Sequence, residues 1–74
     1  MPRQTIQSEI PGRVMTIEAP VGSDVTEDDP VLMLESMKME IPVVAPVAGK
    51  IIEILVAEED TVEEGQDVFV IETP

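Results

Sequence analysis

Residue types and spacing suggest chemistry in one segment, ESMKME at residues 35–40, where Lys38 stands between Met37 and Met39. The chain has no histidine and no cysteine. That removes imidazole and thiol catalysis, Cys/His zinc sites and disulfide staples. Carboxylates are plentiful, but they gather in SDVTEDDP and EEDTVEEGQD. Neither stretch has the alternating Asp/Asn ligands and loop glycine of a calcium site, so both read as solvated turns. No nucleophile–base pair is present, so no catalytic residues and no metal ligands are assigned. Amines are scarce: Lys38 and Lys50 are the two lysines. A modifying enzyme would find few targets here.

The elements that must position Lys38 lie directly beside it. VLMLES precedes Met37-Lys38 and MEIPVVA follows. Two β segments joined this closely imply a tight hairpin with Lys38 at or beside its tip. Two-residue hairpins favour Asn-Gly or other glycine-containing turns, because both central residues need positive φ. Met-Lys is a poor choice for that geometry, and a broken local rule without structural gain points to function. The flexible, polarisable methionines on either side suit recognition by several protein surfaces.

The surrounding framework is an internal repeat. Displaced by 37 positions, residues 12–36 align without a gap on 49–73. Six of the 25 pairs are identical and nine are apolar in both copies. The basic residue after glycine (Arg13, Lys50) and the acidic breaks also stay in step, which chance does not readily supply. Weaker matches extend backwards, Ile6 on Val43 and Ile10 on Val47. IIEILVAE and DVFVIET are rich in β-branched residues and bounded by turn residues. Seven prolines, and glycines at 49 and 65 in the long proline-free stretch, argue against helix. The expectation is an all-β chain: a flattened β-sandwich or barrel of two pseudo-symmetric four-stranded halves, a barrel-sandwich hybrid. Its predicted core is Val14, Ile17, Val25, Val31, Leu34, Ile51, Ile54, Val62, Val68 and Ile71. Apolar residues run consecutively in VLMLE, which suggests strands buried on both faces between two sheets.

With 74 residues, one domain is expected, with its core at about 5–73. The formal net charge is −12, and the positive side chains are Arg3, Arg13, Lys38 and Lys50. Nothing there neutralises a row of phosphates, so nucleic acid is excluded as a partner. MPRQTIQSEIPG lacks the apolar run of a signal peptide or a membrane span, so a soluble cytoplasmic protein without membrane association is expected.

ESMKM resembles the attachment motif of the biotin carboxyl carrier proteins, Glu-(Ala/Ser)-Met-Lys-Met, and VVAPVAGKI resembles their Ala-Pro-x-x-Gly-x-(Val/Ile) segment. The two-copy β layout is also that of biotinyl/lipoyl domains, so the resemblance covers about residues 5–73. It implies a biotinyl-attachment domain in which Lys38 carries biotin on its ε-amine, placed there by a biotin protein ligase. Met37 and Met39 match the flanking methionines used in recognition, Glu35 the acidic residue before the turn, and Ser36 the small residue. It further implies a non-catalytic carrier that shuttles a carboxyl group between a biotin carboxylase and a carboxyltransferase, for an acyl-CoA or related substrate. Acetyl-CoA carboxylase and fatty acid metabolism belong to that circle. The insertion called a thumb in some bacterial acetyl-CoA carboxylase carriers has no counterpart in the gapless repeat. That favours propionyl-CoA-type, pyruvate-type or decarboxylase systems, or a free-standing biotinyl protein. The family commonly has glycine in the turns of both halves. Here Gly22 and Gly65 are matched by Glu59 and Asp28, and the Glu59 turn is expected to be rebuilt. The alternatives are a lipoyl carrier, whose Asp-Lys-Ala motif is absent, and an unmodified biotinyl-like assembly module.

Overall fold

Four tight turns reverse the chain between strands, and three of them carry the acidic stretches. The computed structural model describes residues 2–74. The third residue of each turn is left-handed: Gly22 (φ 96°), Asp28 (72°), Glu59 (76°) and Gly65 (84°). Each turn closes through the N–H of its fourth residue, Ser23 to Pro20, Asp29 to Thr26, Asp60 to Ala57 and Gln66 to Glu63, at 3.0–3.1 Å. In three of them the fourth side chain also accepts from the first N–H: Asp29 from Thr26, Asp60 from Ala57 and Gln66 from Glu63. Side-chain closure of this kind is how Asp and its relatives stabilise turns. The remaining turn begins at Pro20, which has no N–H to offer. The expected rebuilding at Glu59 does not occur: Asp60 holds the turn, and Glu59 takes the left-handed conformation despite its Cβ.

The strands between these turns are β1 (Arg3–Gln7), β2 (Gly12–Ile17), β3 (Asp24–Val25), β4 (Pro30–Ser36), β5 (Met39–Val44), β6 (Gly49–Ile54), β7 (Thr61–Val62) and β8 (Asp67–Glu72). They form two antiparallel four-stranded sheets, ordered β1-β8-β6-β3 and β5-β4-β2-β7. The fold is the expected flattened all-β sandwich, with the copies interlocked: each sheet takes two strands from each half. The bonds that lock them come in repeat-related pairs. Gly22 N–H donates to Ile51 O and Glu59 N–H to Val14 O, both at 2.7 Å. Ile51 N–H donates to Ser23 O at 2.9 Å and Val14 N–H to Asp60 O at 2.8 Å.

The core obeys the same symmetry. Val14/Ile51, Ala19/Val56, Val25/Val62, Val31/Val68, Leu32/Phe69 and Leu34/Ile71 are buried pairs 37 residues apart. Ala45 pairs with buried Ser8 in the same way. Eight of the ten predicted core residues are buried; Ile17 and Ile54 are half-buried at strand ends and pack against the cluster. Leu32 and Phe69 were not in the predicted set. The reason is a bulge at Val31, where the register passes from Pro30↔Val44 to Leu32↔Val43, and its repeat counterpart at Val68, where it passes from Gln7↔Asp67 to Ile6↔Phe69. A bulge adds a residue and resets the alternation, so Val31 and Leu32 are both buried. The bulge therefore accounts for the adjacent burial of Val31 and Leu32, while Met33 lies half-buried on the outer face between Leu32 and Leu34. Another between Val14 and Thr16 turns Val14 and Ile17, three apart, to the same face.

β8 leaves from the end of the molecule at which β4 arrives. Ser8 bonds to Gly65 and Gln66 just before β8, and four residues later Gly12 lies against Glu35 and Ser36 at the end of β4. The end of β8, where Thr73 N–H donates to Pro2 O at 2.9 Å, is accordingly remote from the β4–β5 hairpin. The molecule is elongated, 36 × 18 × 17 Å.

Candidate functional site

β4 and β5 pair from Pro30↔Val44 to Ser36↔Met39, which leaves Met37 and Lys38 as the two central residues of the hairpin. Their φ values are 52° and 66°. Both are therefore left-handed, as a primed hairpin turn demands, and neither residue type favours it. Left-handed backbone costs a side-chain-bearing residue roughly 1–2 kcal/mol. Ladder hydrogen bonds and the buried Leu32 and Leu34 behind the hairpin hold this conformation. Strain of this kind persists where the surrounding structure over-determines it, and it gathers at functional positions.

The apex stands in solvent. Met37 is 92% exposed, Met39 is 62% exposed, and Lys38 is exposed between them. Neither methionine serves the core. Ion pairs among the described residues are Arg3–Glu72 and Arg13–Glu35, so no carboxylate holds the Lys38 amine. A groove of about 660 Å³ opens between β1 and β5, with Ile6, Ile10, Ile41 and Val43 in its walls, and the apex residues stand outside it. Lys50 is exposed too, but it lies inside β6, paired to Asp24 of β3 and Glu72 of β8. Exposure does not separate the two lysines; backbone does. A strand-bound lysine cannot be wrapped by a partner as an apex can.

Glu35 and Ser36 form the stem beneath the apex, both half-buried. Glu35 faces Glu40 across the hairpin and Arg13 across β2. Arg13 Nη2 donates to Glu35 Oε1 at 3.1 Å. The five residues singled out from sequence thus lie together at one end of the sandwich. Gly12 and Arg13 join them there, and sequence reasoning gave those two no role at the site. Their signal was present in the repeat, which keeps glycine followed by a base in both copies. The pairing of β2 with β4 was needed to bring them to the hairpin.

A primary amine free of neighbours, on a stiff support, is what a tethered acyl cofactor requires, and the residues present fit such a group. The chain matches the family model described as biotin-requiring enzyme, the biotin/lipoyl family, over residues 4–71. It is 36% identical over 67 residues to the biotin carboxyl carrier protein of Streptococcus mutans, covering 90% of this chain and 52% of that one. It is 35% identical over 68 residues to a Mycobacterium leprae protein named biotinylated protein TB7.3 homolog, covering 92% of this chain and 96% of that one. Among solved structures, the urea carboxylase of Kluyveromyces lactis contains a region superposing with TM-score 0.92 at 38% identity, over 97% of this chain and 6% of that one. The chain belongs to the biotinyl/lipoyl attachment family, in its biotin branch, and biotin is its cofactor. It spans about half the length of the streptococcal carrier and nearly all of the mycobacterial protein. Within that family, biotin carrier domains are generally non-catalytic parts of carboxylases.

Proposed function

We propose that residues 1–74 act as one biotinyl-attachment domain of a biotin-dependent carboxylase, with Lys38 as the residue that carries biotin. The observation that supports this most directly is the left-handed Met37-Lys38 apex, costly to the fold and fully presented to solvent. The relatives' names, carboxyl carrier and biotinylated protein, point the same way.

In this reading a biotin protein ligase forms an amide between Lys38 Nζ and the biotin carboxyl carbon. The amine loses a proton and the ATP-derived activating group leaves as AMP. Bound biotin supplies a ureido nitrogen that takes up a carboxylate and gives it on, so the hard chemistry belongs to the cofactor. The chain's part is mechanical and electrostatic. The hairpin presents the arm and raises its effective concentration at two separate sites, a biotin carboxylase and a carboxyltransferase. Met37 and Met39 provide soft apolar contact to ligase and carboxylase surfaces, and Glu35 and Ser36 set the stem. Acylation removes the Lys38 charge, so the arm offered to partners is neutral. The domain itself catalyses nothing, works in the cytoplasm, and serves an acyl-CoA or related acceptor. The gapless repeat supports carriers of the propionyl-CoA, pyruvate or decarboxylase type, or a free-standing biotinyl protein.

Coexpression with a biotin ligase should add one biotin to the intact mass, and Lys38→Arg should abolish the gain. Label on Lys50, or on neither lysine, would overturn the assignment. Lipoate in place of biotin would move the chain to the lipoyl alternative.

A further inference from the structure

We infer that Arg13 is a positioning residue for the attachment reaction: it holds the hairpin stem, and so the direction of Lys38, by drawing Glu35 away from Glu40. The inference rests on the reading of Lys38 as the biotinylated residue.

The hairpin is supported from one side. β5 is an edge strand, so β4–β5 meets the rest of its sheet through β2. At the stem, the facing residues of β4 and β5 are Glu35 and Glu40. Two carboxylates directly opposite on antiparallel strands repel each other and splay the pair. Arg13 is Glu35's partner on the other flank, with Nη2 at 3.1 Å from Oε1. Its positive charge offsets that repulsion where the apex is anchored. Gly12 brings the β2 backbone close enough for this: a Cβ there would stand 2.8 Å from Glu35 O and 3.5 Å from Ser36 Cβ.

The other end of the molecule provides a built-in comparison. Glu72 is the repeat partner of Glu35, but it faces Arg3 on one side and Lys50 on the other. Arg3 Nε lies 3.4 Å from Glu72 Oε2. That stem carries no opposed carboxylates and no lysine at its tip. Arg3 and Arg13 thus sit in ion pairs of the same exposed kind, remote from and adjacent to Lys38 respectively.

Arg13→Gln and Arg3→Gln remove the same charge from the same fold. Loss of an exposed ion pair leaves folding nearly unchanged, so both variants should be native. Kinetics with a biotin ligase, ATP and biotin then separate them. When fewer molecules hold the productive tip geometry, apparent affinity falls by that fraction, so Arg13→Gln should raise the ligase KM about 5-fold with kcat nearly unchanged. Arg3→Gln should stay within about 2-fold of the unaltered chain. In unmodified protein, amide NMR signals of Met37, Lys38 and Met39 should shift in Arg13→Gln and stay in place in Arg3→Gln. Adding Glu40→Gln to Arg13→Gln removes the repulsion and should restore both KM and the amide signals. Equal losses in the two arginine variants, or no loss in either, would overturn the inference. So would failure of Glu40→Gln to rescue, which would mean that Arg13 meets the ligase directly. Absence of biotin on the unaltered chain would instead remove the underlying reading of Lys38.

Discussion

Lys38, Met37, Glu59 and Asp28 adopt left-handed backbone without being glycine. At Asp28 the side-chain type eases this, since Asp tolerates the conformation better than most. At Glu59 nothing about the residue type helps, and its repeat partner Gly22 shows what the position prefers. Glu59→Gly should therefore stabilise the domain by about 0.5–1 kcal/mol, the relief of the left-handed penalty less the entropy that glycine adds to the unfolded chain. Urea unfolding measures it, with Glu59→Gln alongside to separate the loss of a charge. Equal midpoints for the two variants would assign any gain to charge alone.

The β4–β5 hairpin carries the same strain twice, at adjacent residues, and here no better-suited residue has been placed. Converting Met37-Lys38 to Asn-Gly gives the turn the residues its dihedral angles ask for. The double change should raise stability by roughly 1–3 kcal/mol, the left-handed penalty of two residues less the part that Asn keeps and the entropy that glycine adds to the unfolded chain. On the proposed role of Lys38, it should also abolish biotinylation. A melting temperature that falls on this change would show that the apex is not strained. At the other end of the sandwich the repeat-related position is occupied by Pro2 and Thr73, with Thr73 N–H donating to Pro2 O. Symmetry thus builds two equivalent stems, and one of them carries the apex amine.

Across the whole molecule, charge is the dominant unbalanced term. Sixteen acidic residues against four basic ones leave −12 on a 74-residue body. The two ion pairs among the described residues, both at the surface, offset little of that. Self-repulsion destabilises a compact chain of this kind. Raising ionic strength from ~10 mM to ~0.15 M shortens the screening length from about 30 Å to about 8 Å. The melting temperature should rise over that range, and calorimetry in sodium chloride checks it. A flat response would mean that the acidic turns are too far apart, or too well solvated, to feel one another.

Much of this was legible in the residue order. The 37-residue period marked the halves, the all-β class and eight buried positions, because apolar residues that recur in step must meet one core. ESMKME marked the amine, because few amines existed and the turn chemistry around this one was wrong for a plain hairpin. Other features were set by contacts between segments far apart in the chain. Bulges at Val31 and after Val14 changed which residues face inward, and pairing register, unlike residue type, is settled between strands. Interlocking of the halves, and the seat that Gly12 and Arg13 make for the hairpin, depend on β2 lying beside β4 and β7. A linear pattern records which residues prefer burial or a bend. Which neighbours they find there is decided when the two sheets close on each other.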